Sequence, residues 1–274
     1  MGIAVFPAAG GGVTPKVTEF TSTGTFVVPS NTTMVEVFVV GGGGGGGCVN
    51  NSSARASSGG GGGSVITRTL PVTAGASYTV TVGAGGAGSS NESTPGADGG
   101  DSSFGSLVTA WGGGGGASMN TSGATTFPRL RGTSGGSAQN SSTNPGGGGA
   151  GESLVWPQQT TTPFAIQTEF FFSMNGTRTG ALSPMNNNNP MGGRGINGFG
   201  GGGAGASSQP AANFLALIST DGGAAGISGG TAANGNNATA NLGGGGSGAY
   251  TAASAGQRNG GNGGSGYVRV TYWS

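Results

Sequence analysis

Short runs of alternating apolar and polar residues recur along this chain, and several of them end directly on glycine. "KVTEFTSTGTFVVPSN" and "TTMVEVFVV" alternate on either side of Pro29-Ser30-Asn31 and predict two or three antiparallel strands. "SVITRTLPVTAGASYTVTV", Ser64 to Val82, predicts a hairpin turned around Thr73-Ala74-Gly75-Ala76. "SFGSLVTAW" and the terminal "GYVRVTYWS" predict further strands. "PAANFLALIST", with Pro210 in front of a compact apolar group, predicts one or two helical turns.

The passage from strand to glycine block happens three times, at "VEVFVVGGGGGGG", "SYTVTVGAGGAG" and "SLVTAWGGGGG". A flexible linker has no reason to recur in that position. Blocks of four or more glycines occupy Gly41 to Gly47, Gly59 to Gly63, Gly112 to Gly116, Gly146 to Gly149, Gly200 to Gly203 and Gly243 to Gly246. Fixing a glycine backbone costs on the order of 1–2 kcal/mol, so each block needs roughly one hydrogen bond per residue to break even. Helix and sheet both suit glycine poorly. A polyproline II conformation leaves every amide and carbonyl pointing outward, where only glycine lets a neighbouring chain approach closely enough to pair. The blocks are therefore expected to form polyglycine II helices packed side by side, the longest about 22 Å at ~3.1 Å per residue.

If each block crosses such a stack once, the connections alternate between its two ends. One set comprises "CVNNSSARASS", "SSNESTPGAD", the loop Ala117 to Pro145, "AGASSQPAANFLALISTD" and "AYTAASAGQRN". The other holds Ser64 to Val82, Ser102 to Trp111, the insert Glu152 to Met191, "TAANGNNATAN" and the last strand. The strands fall in the second set together with those leading into Gly41. The expected fold is thus mostly β with irregular structure: a β-sandwich-like base under a polyglycine II stack whose opposite end is made of loops. Trp111 and Trp273, which end strands, are expected in the core of the base.

Composition narrows the function. Val, Leu, Ile and Phe make up about 16% of the 274 residues, low for a chain with an ordinary core, yet the net charge of +1 removes the self-repulsion that accompanies disorder. Lys16 is the sole lysine and the arginines are scattered apart from Arg129 and Arg131, so no basic stripe exists for nucleic acid. No apolar stretch approaches the ~18 residues of a membrane span, and the N-terminal residues lack the basic region of a signal peptide and the Ser or Thr of a myristoylation site. Cys48 is the only cysteine and reads as a small apolar residue closing a glycine run.

No catalytic arrangement emerges, and no enzyme, cofactor or metal site is expected. "GAGGAG", Gly83 to Gly88, fits a dinucleotide loop, but Pro95 follows where a helix must open. With no histidine, Ser-His-Asp and Cys-His arrangements are excluded. Glu152 with Glu169, or Asp98 with Asp101, could pair for glycoside hydrolysis, but isolated acids of this kind read as turn or solvating residues.

"FTSTGTFVVPSNTTMVEVFVVGGGGGGG", "GGGGGSVITRTLPVTAGASYTVTVGAGGAG" and the closing "GGSGYVRVTYW" together resemble the glycine-rich domain of bacteriophage tail proteins. The alternation of glycine blocks and loops is similar to the adhesin that caps the long tail fibres of T-even-like phages. That resemblance covers about Val17 to Trp273 and leaves residues 1–16 as an attachment segment before a single domain, 17–274. It implies a virion protein exposed at the fibre tip, with a base bound to the tail-fibre tip protein. Its distal loops would recognise an outer-membrane protein or a surface polysaccharide on the host.

The residues expected to touch that receptor are the aromatic, apolar and arginine side chains of the loop end: Phe127, Arg129, Arg131, Phe214, Leu217, Tyr250 and Arg258. Ile3, Val5, Phe6, Trp156, Phe164 and Phe170 are expected to grip the fibre, the last three because the connection count puts the insert on the base side. A second reading is a structural tail component or other glycine-helix protein without receptor binding. An ice-binding face would want regularly spaced Thr or small residues, whereas the block lengths here vary.

Overall fold

A computed structural model describes residues 14–50, 55–120, 123–124, 192–206, 221–227, 231–252 and 256–274. Among them there is no helix, and the regular structure is β. The strands are β1 (Pro15–Phe20), β2 (Gly24–Val27), β3 (Met34–Val40), β4 (Arg55–Ala56), β5 (Val65–Pro71), β6 (Ser77–Thr81), β7 (Ser102–Phe104), β8 (Val108–Ala110), β9 (Met119–Asn120), β10 (Gly123–Ala124), β11 (Tyr250–Thr251) and β12 (Tyr267–Trp273). "PAANFLALIST" and the block Gly146 to Gly149 lie outside the described residues.

Two four-stranded antiparallel sheets form the base, in the orders β1-β12-β3-β5 and β2-β6-β7-β8. Alternation in β3 turns Val35, Val37 and Val39 inward, where they meet Val268 and Val270 of β12 and Phe26, Val80 and Phe104 of the facing sheet. Near the glycines the outer face is covered as well. Phe199 packs edge-on against Phe38 with ring centroids 5.0 Å apart and stacks on Tyr267, and the Arg269 guanidinium lies over Phe38. Two-sided cover explains why "FVV" breaks the alternation and is buried throughout.

Two local readings of the base are corrected. Ser64 to Val82 is not a hairpin: β5 pairs with β3 in one sheet and β6 with β2 and β7 in the other. The turn between them, with Gly75 at φ 75° and Ala76 donating to Thr73, carries the chain across the core from sheet to sheet. "SFGSLVTAW" is itself a hairpin, β7 and β8, turned at Gly105 with φ 53°. Trp273 belongs to the surface of the base, 40% exposed, because its row on β12 faces away from the core.

Above the base the glycine segments lie side by side and pair backbone to backbone. The segment 41–47 is at the centre. Gly41, Gly44 and Gly47 donate to the carbonyls of Ser64, Gly61 and Ser58; Gly42 and Gly45 donate to Gly100 and Ala97; Gly43 and Gly46 donate to Gly264 and Gly261. Its carbonyls at Gly42 and Gly45 accept from Gly113 and Gly116, those at Gly43 and Gly46 from Gly86 and Ser89, and Gly44 accepts from Gly246. Successive residues thus address different neighbours and every third residue returns to the same one. Six segments surround the central one, so its backbone polar groups meet partners without a sheet or helix ladder.

These pairings also fix height. Gly41, Ser64, Gly100, Trp111 and Gly243 lie at the level of the base, while Gly47, Ser58, Ser89, Ala117 and Arg258 lie at the far end. The described ends of the connection 48–58 and the loop 89–96 therefore lie at the far end, and the strand-bearing connections at the base.

The alternation fails between 192 and 242. Gly192 is level with Gly202, and the chain then runs down to a turn, Ile196 to Phe199, packed on the base. The insert Glu152 to Met191 lies outside the described residues. "AGASSQPAANFLALISTD" starts at the far end, where Ala206 donates to Ser57, and ends at the base, where Asp221 accepts from Gly201. "TAANGNNATAN" is a crossing in its own right, running from Ala233, paired with Tyr250, down to Leu242, paired with Gly200. The reason is that an outer segment needs glycine only where it faces another segment. Asn234, Asn237 and Ala240 are exposed, where side chains fit.

Candidate functional site

The described part of the far end is firmly built. Cys48 and Val49 emerge from the central segment and are capped by a small apolar cluster of Val49, Ala117, Met119 and Ala249. The loop after Ser89 is tied by its own side chains. The Ser89 hydroxyl accepts from the Asn91 amide and lies 2.7 Å from the carbonyls of both Asn91 and Thr94, and Asn91 Oδ1 accepts from Ser93. Ser118 Oγ donates to the Thr94 carbonyl and accepts from the Cys48 amide, joining this loop to the chain leaving the segment 112–117.

Arg258 stands beside it. Its backbone exchanges two hydrogen bonds with Val49, at 3.0 Å each, and its guanidinium donates to the Gln257 carbonyl. Gln257 in turn donates to the Ser90 carbonyl. Together Ser90, Asn91, Glu92, Gln257 and Arg258 form a polar ledge of exposed and half-buried side chains.

Of the residues expected to touch a receptor, Arg258 is on this ledge. Tyr250 is at the same end but only 3% exposed, pairing with Ala56 and packing with Ala206, Ile227 and Ala252. Burial also raises its hydroxyl pKa. Alanines on two neighbouring segments, Ala56 and Ala206, leave a slot that the ring fills, so Tyr250 anchors the end of the array from within. Phe127, Arg129, Arg131, Phe214 and Leu217 lie outside the described residues, as do Ile3, Val5, Phe6, Trp156, Phe164 and Phe170. The sequence reading missed Ser90, Asn91 and Gln257, because short polar side chains near glycine read only as turn formers.

Asp98 and Asp101, weighed above as a carboxylate pair, accept the amides of Gly115 and Gly112 at 2.9 Å. Among the described residues no group of three or more His, Cys, Asp or Glu could hold a metal ion, and no helix is long and apolar enough to cross a membrane. The Cys48 thiol is fully buried, and desolvation, with the Glu92 carboxylate adding to it, pushes its pKa up to about 11. As pH rises past the unfolded thiol's value of 9.0 toward about 11, the unfolded chain releases a proton that the folded chain keeps, so stability falls across that window. The loss is on the order of 2 kcal/mol. Urea unfolding of the parent and of Cys48→Ala at pH 8 and pH 11 should show a steeper fall in the parent, and native protein at pH 8 should resist thiol reagents.

A search of curated proteins returns no match. A family model described as "Glycine-rich domain" matches residues 18–273, from the first base strand to the last. That span takes in both sheets and every described glycine segment, and on it the chain belongs to the glycine-rich domain family.

Proposed function

We propose that this chain is a phage tail-fibre adhesin, attached through its base and presenting the far end to a receptor on the bacterial surface. The observation that carries the reading is the division of labour between the two ends. Both sheets lie at one end, and the polar ledge and the long connections from Ala117 leave from the other. On this reading the glycine segments are polyglycine II helices, a rigid spacer between attachment and recognition. Their three-residue hydrogen-bond repeat supports that assignment, as does the absence of 41–47 and 112–116 from the glycines with positive φ. Attachment through the base is supported by Val27, Met34, Leu107 and Trp273, large apolar side chains exposed at strand ends remote from the glycines.

The test is binding of the purified protein to intact cells of a panel of bacterial strains, competed with extracted surface polysaccharide and with outer-membrane protein. Saturable, strain-selective binding is expected, and the effective competitor names the receptor class. Exchange of Ala117 to Pro145 for the equivalent loop of a related protein should change the strains bound. Absence of binding to every strain would overturn the adhesin reading in favour of a structural tail component.

A further inference from the structure

The centre and the rim of the glycine array satisfy their amides differently. Each N–H of the central segment finds a backbone carbonyl of another segment. On the rim, side chains of an adjacent described segment accept the amides instead. Asp101 and Asp98 Oδ1 accept from Gly112 and Gly115, both at 2.9 Å. Across the array, Asn234 and Asn237 Oδ1 accept the amides of Asn259 and Asn262 at 3.0 and 2.8 Å. Within each pair the acceptors are three residues apart, which is the repeat by which the segments address one another. All four side chains are exposed, and each covers an amide of the adjacent segment.

We propose that Asp98, Asp101, Asn234 and Asn237 keep the glycine array finite by occupying the positions where the carbonyls of one more glycine segment would sit. The excluded partner is a glycine-rich segment of a second copy of this chain. A bare row of such amides is the counterpart of an open sheet edge: a regular template, flat because glycine has no side chain, that another backbone can extend. A carboxylate or carboxamide reached out from the adjacent segment uses the donor and adds bulk that a copy cannot pack against. Four side chains of two types converge on this one geometry, whereas solvated turn residues would have no reason to follow the three-residue repeat. The inference holds whatever the far end binds.

The experiment compares D98A/D101A with D98N/D101N by light scattering over a range of concentrations. The first removes both acceptors; the second keeps an Oδ1 at each position and removes only the charge. D98N/D101N should keep the mass of the parent at every concentration. D98A/D101A should gain mass as concentration rises, by roughly twofold or more, as copies add across the bared rim. N234A/N237A on the opposite flank should do the same, and it decides the matter alone if D98A/D101A does not fold. Unchanged mass in both alanine variants overturns the proposal, as does equal association of D98N/D101N, which would assign the effect to charge.

Discussion

Gly44→Ala is expected to abolish the folded state. A Cβ at this position would lie 2.1 Å from the carbonyl oxygen of Gly114, where real Cβ contacts essentially never fall below 3.0 Å. The obstacle is backbone, so no side-chain rotation relieves it. Nor can the segment 112–117 step aside, because the Gly114 carbonyl accepts from Gly61 and its neighbours Gly113 and Gly116 donate to Gly42 and Gly45. Moving one segment by about 1 Å would stretch a row of bonds on both sides of it. Overpacking usually costs about 1–3 kcal/mol where side chains can yield. Here none can, and a cost above about 3 kcal/mol consumes much of the ~5–15 kcal/mol by which domains are stable. The control is Ala87→Gly on a neighbouring segment, whose methyl is exposed and whose loss should change stability by less than about 1 kcal/mol. Thermal unfolding monitored by circular dichroism distinguishes them. A cooperative transition in Gly44→Ala near that of the parent would mean that the segments are not locked as described.

The same closeness explains what could be read from the sequence. Unbroken glycine at 41–47 is demanded by contact on every side, so a run that looked like a linker identified the centre of the array. Strands in the base were legible because one face is buried and the other wet, which writes a two-residue period into "VEV" and "VRV". Sheet membership was not legible. The alternation of Val65–Pro71 and Ser77–Thr81 is the same whether the two strands pair with each other or face each other across a core, and only the register with β3 and β2 decides. Crossings on the rim were missed for a related reason. From Ala233 to Leu242 only Gly235 is glycine, since the outward positions take Asn, Ala and Thr, and a search for glycine runs passes over them. At the far end residue type misled for Tyr250, because the sequence does not reveal the alanines at positions 56 and 206 that make room for its ring.

Phe104→Ala tests whether base and glycine array fold as one. The ring is fully buried, stacked on Tyr78 with centroids 5.0 Å apart and tilted against Phe26 at 6.0 Å, in the core shared by the two sheets. Truncation should cost about 3–5 kcal/mol, because β7 is held on the facing sheet and cannot collapse into the void. The consequence extends above the base. β3 leads straight into Gly41, β8 into Trp111 and Gly112, and β6 through Val82 into Gly83, while the segment 258–266 ends on β12. These strands set the heights at which the segments meet, and a three-residue repeat tolerates no slip of one residue without mismatching every pair. The variant should therefore lose both parts in a single transition at a lower denaturant concentration. Slow amide exchange in 41–47 and near-ultraviolet signals from the base aromatics should disappear together. If the glycine amides remained protected after the aromatic signals were lost, the array would be shown to stand without its base, and the strands would be only its attachment.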